Sequence, residues 1–263
     1  MIDKNKIDLT YEAIGDDKEF RERYGERIGV GMAAVIYARD GIVAKVFREN
    51  QSPIQAFLEG YSMAVINEYK IPAPKVYGVE RFAGRNVLLM EQVKGISLLD
   101  ATTEDISRAE EYLDLAVKLQ VELHKIESNE FRPIKMMIRG MIFASPALTP
   151  EEKERLLGIL SSLPDGFNLC HGDFHVGNVL YADGSCIIID WAEVACGVPE
   201  ADACRSYLGC YISQVGAEEI YLKKYCAATG RKRDDILAWL PVVAGSTYGF
   251  LSPKAKEIIR PLF

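Results

Sequence analysis

The sequence predicts an α+β protein, with a small antiparallel sheet in the first third and a larger, mainly helical remainder. Three observations give that class. Short apolar runs separated by turn residues fill the stretch up to Met90, and the first two are joined by Arg39-Asp40-Gly41, a strong hairpin signal. After Gly95 the apolar spacing changes to that of helices. No repeat, low-complexity tract or long linker interrupts the helical tail, and 263 residues suffice for one large domain or two lobes.

Composition narrows the function classes. A net charge of -7 argues against a nucleic-acid or anionic-membrane partner, since either needs clustered Lys and Arg. The one tight basic run, Arg231-Lys232-Arg233, sits between two helical patterns and reads as a solvated turn. Six cysteines, at 170, 186, 196, 204, 210 and 226, form no C-x-x-C pair and show no zinc-like spacing with histidine, which fits a reducing compartment. The N-terminus has no apolar leader-like run, and no stretch approaches the length of a membrane helix. The expectation is a cytoplasmic protein without a nucleic-acid or membrane partner.

In chain order, the charged stretch Asp16 to Arg23 reads as a short exposed helix. From Glu26 two strands follow, with Gly29 to Ala34 as the bend at the start of the first. Gly29 and Gly31 there would let backbone amides approach a phosphate closely, and a plain hairpin is the other reading. The second strand, Ile42 to Phe47, carries Lys45 on the same face as Val43 and Phe47. A cation among apolar neighbours needs a partner or a path to solvent. An edge lysine that deters aggregation is the alternative.

A helix over Pro53 to Glu68 and strands over Val76 to Gly78 and Asn86 to Met90 complete a sheet of about five strands. In the remainder, Thr103-Glu104-Asp105 begins a capped segment and Ala109 to Ile126 is a largely buried helix ending near His124, which reads as a packed, hydrogen-bonded histidine. Pro133 to Ala147 reads as an irregular, Met-rich cover. Thr149-Pro150-Glu151-Glu152 starts a helix to about Leu160. Further helices are expected from Gly197-Val198-Pro199 onward, over Ala203–Ser213, Ala217–Ala228, Asp234–Leu240 and Pro253–Ile259.

The chemistry concentrates in Cys170 to Val194. There His171-Gly172-Asp173 is followed five positions later by Asn178, and an apolar strand then leads into Asp190. A loop Asp, an Asn five residues on and a carboxylate delivered by the next strand suit phosphoryl transfer. One carboxylate accepts the proton of an attacking hydroxyl, and the Asn oxygen and the second carboxylate hold a magnesium that bridges nucleotide phosphates. Any one of these residues alone would read as an ordinary polar hairpin.

His171-Gly172-Asp173-Phe174-His175-Val176-Gly177-Asn178 followed by Ile189-Asp190-Trp191 resembles the aminoglycoside phosphotransferase and choline-kinase-like family, which is similar to protein kinases in fold. Gly172 stands where protein kinases carry Arg, and Ile189-Asp190-Trp191 stands where they carry Asp-Phe-Gly, which favours the small-molecule branch. The resemblance implies a two-lobed protein-kinase-like fold, with residues 1–93 as a nucleotide-binding sheet lobe and 94–263 as a helical catalytic lobe. It implies ATP, or GTP, and Mg2+ as cofactors.

It also implies roles for single residues. Asp173 acts as the catalytic base, and Asn178 and Asp190 hold the metal. Lys45, steadied by Glu59, meets the phosphates under Gly29 and Gly31. Ile36 and Val43 wall the base, and the backbone of Glu91 to Val93 reads its edge. Asp202, and with it His171, supports the catalytic loop. His175, Trp191 and Glu193 are the candidates for holding the acceptor, a cationic one if the aromatic and the carboxylate act together. The short helical tail speaks against a bulky aminoglycoside. A catalytically inactive kinase-like nucleotide-binding sensor or scaffold is the other reading, disfavoured because lysine, base and metal ligands are all kept.

Overall fold

The computed structural model describes residues 17–182, 184–213 and 216–263; the N-terminal stretch in which no leader was expected lies, up to residue 16, outside the described residues. In chain order the elements begin with α1 (Lys18–Tyr24), β1 (Glu26–Val30), β2 (Ala34–Arg39), β3 (Ile42–Phe47), α2 (Gln55–Glu68), β4 (Val76–Phe82), β5 (Arg85–Glu91), β6 (Ile96–Ser97) and α3 (Leu98–Glu104). They continue with α4 (Ala109–Leu123), α5 (Ile134–Ala144), α6 (Pro150–Ser162), β7 (Asn168–Cys170), β8 (Val179–Ala182), β9 (Ser185–Ile188) and β10 (Ala195–Gly197). The rest is helical: α7 (Pro199–Ser213), α8 (Ala217–Thr229), α9 (Arg233–Leu237), α10 (Leu240–Tyr248) and α11 (Pro253–Ile259). Contacts group these elements into two units. The first runs to Ile106 and takes in Val179–Ala192; the second comprises Ser107–Asn178 and Glu193–Phe263.

The first unit is built on a five-stranded antiparallel sheet in the order β1-β2-β3-β5-β4. Its central hairpin forms because Asp40 and Gly41 both adopt positive φ, 53° and 83°, the geometry that matches the twist of paired strands. Alternation then sorts the side chains by face. Val35, Tyr37, Ala44, Val46 and Val87 pack with Phe20 and Tyr24 of α1. The helix expected to be exposed thus buries two aromatic rings.

Ile36 pairs with Lys45 and Ala38 with Val43, which places Ile36, Val43 and Lys45 on the opposite face. Helix α2 covers part of that face through Gly60, where an added Cβ would lie 3.2 Å from Val79 and 3.3 Å from Leu88. A three-stranded sheet, β6-β8-β9, completes the unit.

Two sequence expectations need correction here. Gly29 is not in a bend: it lies in β1 opposite Ile36, after a register shift at Arg27, and only residues 31–33 form the turn. Strand β4 runs past Gly78 to Phe82, because Ala83 and Gly84 supply a second positive-φ turn.

The second unit buries Ile142, Leu156, Tyr225 and Trp239 in one core drawn from α5, α6, α7, α8, α10 and the residue before α10. The start of α6 follows from its residues: the Thr149 hydroxyl accepts from the Glu152 amide at 3.2 Å, and the Glu152 carboxylate accepts from the Thr149 amide at 2.9 Å.

Thr103-Glu104-Asp105, expected to open a helix, instead closes α3, and the cap is Ser97, whose hydroxyl accepts from the Asp100 amide. Pro133 to Ala147 is not irregular: α5 buries Ile134, Met137, Ile138 and Ile142, the spacing of one helical face. Helix α10 was not expected at all. Among the described residues no helix is long and apolar enough to cross a membrane.

Candidate active site

The expected site residues fall into two groups, one in each unit. In the first unit, β3 turns Lys45 toward α2, and its Nζ lies 2.7 Å from Glu59 Oε1 and 3.0 Å from Asp190 Oδ1. Glu59 is only 3% exposed, so the ammonium is its necessary counter-charge. Burial opposes the charge on Lys45, but the Glu59 and Asp190 carboxylates outweigh it and raise the lysine pKa above its usual value. Burial pushes the Glu59 carboxyl up, and Lys45 offsets part of that.

Asp190 follows β9 with φ 63°, a left-handed backbone that Asp tolerates better than most side chains and that is typical of functional turns. Trp191 next to it is buried, with its indole N–H donating to the Ile188 carbonyl at 3.0 Å. The ring expected to receive an acceptor cation is therefore part of the interior, because a buried indole offers no open face for stacking.

Ile36 and Val43 are half-buried on the Lys45 face. The Gly31 amide donates to the Ala34 carbonyl at 2.8 Å. The Glu91 amide donates to the Lys75 carbonyl at 2.8 Å and the Gln92 amide to the Gly41 carbonyl at 2.9 Å; Val93 lies two residues past the end of β5.

In the second unit the loop after β7 is held through its backbone. Gly172 has φ 86°, and an added Cβ would meet the Glu193 carbonyl oxygen at 2.2 Å, so only glycine fits between Glu193 and Asp173. The Gly172 amide donates to Asp202 Oδ1 at 2.7 Å. One residue past Asp173, the Phe174 carbonyl accepts from the Ser206 hydroxyl at 2.8 Å. Asn178 Nδ2 donates to the Asp173 carbonyl at 2.9 Å, which turns the amide oxygen away from the loop backbone. The buried His171 ring accepts from the Asp173 amide at 3.3 Å through Nδ1.

Behind the loop lies a buried polar network. Asp202 Oδ2 meets His124 Nε2 at 2.9 Å and Gln120 Nε2 at 3.0 Å; His124 Nδ1 meets the Tyr225 hydroxyl at 2.6 Å, and the Tyr221 hydroxyl donates to Gln120 Oε1 at 2.7 Å. Burial raises the Asp202 pKa, but the hydrogen bond and charge of His124, with help from His171 and Gln120, bring it down to about 2. Asp202 is thus a buried anion held by its partners rather than a proton-transfer group.

The Asp173 carboxylate faces a guanidinium and an imidazole. Arg205 Nη2 lies 2.6 Å from Oδ1, a close ion contact without the alignment of a hydrogen bond, since the buried Oδ1 has no hydrogen-bond partner among the described residues. His175 Nε2 lies 3.8 Å from Oδ2. Glu193 pairs with Arg132 at 3.8 Å.

Arg205, Ser206, Gln120, Tyr221 and Tyr225 were not singled out from sequence. Arg205 and Ser206 follow Asp202 by three and four positions, so a shared helix face was the signal.

Among the described residues no cluster of three or more His, Cys, Asp or Glu is arranged to hold a metal ion. The two residues expected to hold a metal, Asp190 in the first unit and Asn178 in the second, carry a carboxylate and an amide oxygen, the donor types that magnesium takes.

Comparison with known proteins gives consistent results. Residues 26–237 match the profile of the phosphotransferase enzyme family. No curated protein matches the sequence. Among solved structures, a thermostable mutant of aminoglycoside phosphotransferase APH(4)-Ia is similar at 14% identity and a TM-score of 0.67, covering 93% of this chain and 98% of its own. Aminoglycoside phosphotransferase APH(3'')-Id from Streptomyces rimosus gives 17% and 0.63, covering 83% and 91%. A choline/ethanolamine kinase family protein from Mesorhizobium loti gives 15% and 0.61, covering 90% and 87%.

Likeness at these identities shows the fold, which is the kinase-like α+β fold.

Proposed function

Since the chain belongs to the phosphotransferase enzyme family, we propose that it moves the γ-phosphoryl group of ATP, or of GTP, onto a hydroxyl of a small-molecule acceptor with the help of Mg2+. Nucleotide binding falls to residues 1–93 and transfer to 94–263. The protein works in the cytoplasm, without nucleic acid or membrane as partner.

The observation that carries this reading is the buried Asp173 Oδ1, which meets Arg205 as an ion contact but has no aligned hydrogen-bond donor among the described residues, although Asp202 and Ser206 hold the peptide groups on either side of it. A buried acceptor atom left unsatisfied calls for an explanation, and the hydroxyl of a bound acceptor supplies one. Asp173 then orients that hydroxyl and accepts its proton.

Asn178 and Asp190 would hold the metal, which would neutralise charge on the triphosphate. Lys45, kept charged by Glu59, meets the phosphates. The turn at Gly31, with Gly29 before it, covers them; Ile36 and Val43 flank the base, and the backbone from Glu91 to Val93 reads its edge. His171 and Asp202 keep the loop in place. His175 and Glu193 contact the acceptor, and Trp191, being buried, does not.

Relatives of the same fold support the reading, since APH(4)-Ia has been captured with ADP and hygromycin B, and APH(3'')-Id with ADP and streptomycin. The test is magnesium-dependent conversion of ATP to ADP in the presence of hydroxylated metabolites, with the phosphoester product identified. Nucleotide binding without turnover of any acceptor would mark a sensor or scaffold instead.

A further inference from the structure

On the basis of that phosphoryl-transfer reading, we propose that Arg205 selects the acceptor, and that the acceptor is an alcohol carrying a carboxylate close to the hydroxyl that is phosphorylated.

The charges beside Asp173 lead there. A polycationic acceptor needs carboxylates with negative charge to spare, yet each carboxylate of the second unit assigned to the reaction already has a guanidinium: Asp173 has Arg205 at 2.6 Å, and Glu193 has Arg132 at 3.8 Å. The two acidic residues are neighbours, since Gly172 next to Asp173 lies against the Glu193 backbone. His175 adds a donor. Its Nδ1 accepts the Gly177 amide at 3.0 Å, which leaves the ring proton on Nε2, the atom 3.8 Å from Asp173 Oδ2.

Arg205 is also under-used for a structural arginine. A guanidinium that serves the fold normally spends its planar fork on paired hydrogen bonds. Among the described residues Arg205 has Asp173 as its one ion-pair partner, and that contact lacks hydrogen-bond alignment. The side chain is 22% exposed, so the fork is open to a ligand rather than sealed in the core. An acceptor that places its hydroxyl on Asp173 brings a carboxylate two or three bonds away within reach of the remaining N–H donors. An ammonium in the same place meets Arg205 as a like charge, which is how a site rejects the wrong partner.

The test uses the full chain with ATP and magnesium and two matched acceptor sets: glycerate, glycerol and aminopropanediol, and galacturonate, galactose and galactosamine. Steady-state ADP release gives kcat/KM for each. The expected result is an acid-over-amine ratio of about tenfold or more. That ratio falls to near one in Arg205→Gln and is kept in Arg205→Lys, which retains the charge should the first variant fold poorly. Equal use of acid and amine, a preference for the amine, or a ratio unchanged in Arg205→Gln overturns the proposal and leaves the kinase reading standing. Failure of every acceptor despite measured nucleotide binding removes the kinase reading, and this proposal with it.

Discussion

In the sheet-bearing unit Lys45 is held by two carboxylates, Glu59 and Asp190, whereas in the helical unit the loop around Asp173 is held through its backbone by Asp202 and Ser206, with Gln120, His124, Tyr221 and Tyr225 behind them. The first arrangement is charge on charge, and a ligand can redistribute it, because phosphate can take the lysine and a metal can take Asp190. The second is a set of peptide groups fixed from behind, and no ligand is needed to complete it. The contrast separates groups that must change partners during a reaction from groups that must not move.

Four substitutions probe the contrast. The largest loss of stability is expected for Lys45→Met, which leaves Glu59 buried without its counter-charge and lowers stability by ~3–5 kcal/mol in urea unfolding. Adding Glu59→Gln to that variant restores most of the loss; if the single variant unfolds at the wild-type midpoint, the pair is not a coupled unit. Gly172→Ala comes next, since it forces a positive φ on alanine and a Cβ onto the Glu193 carbonyl, at a penalty of about 2–3 kcal/mol in thermal unfolding.

Asp202 gives the third and a pH dependence. Its folded pKa of about 2 lies below the ordinary 3.8, so its contribution is fully present above that ordinary value and disappears as pH falls through about 2. The contribution is about 2 kcal/mol, and Asp202→Asn flattens that part of the acid stability curve. The smallest effect belongs to Ser206→Ala, about 1 kcal/mol, because the Phe174 carbonyl loses its donor while Gln120, which also donates to the Ser206 hydroxyl, keeps Asp202 as acceptor; a loss several times larger would mean that Asp202 does not make good the lost Gln120 bond.

Sequence reading reached as far as local rules reach. The Asp40-Gly41 turn and the Thr149–Glu152 capping box are decided by neighbouring residues, and both elements stand where local chemistry puts them. Helix α10 was missed because Val242, Val243, Ala244, Gly245, Ser246 and Thr247 are all buried, so no polar face gives it a period. Helix α5 was missed although its apolar face was present in the spacing, because its methionines and Gly140 obscured it. Arg205 was missed for a different reason. Its position relative to Asp173 depends on how α7 packs against the loop, which no sequence spacing within the loop records.

If Asp173 acts on the acceptor hydroxyl while other groups hold the nucleotide, loss of Asp173 separates binding from transfer. Nucleotide affinity by calorimetry, measured on Asp173→Ala beside its rate of phosphoryl transfer, tests it most directly. The expected result is nucleotide binding close to wild type with transfer slowed about a thousandfold or more. Transfer within tenfold of wild type would contradict it.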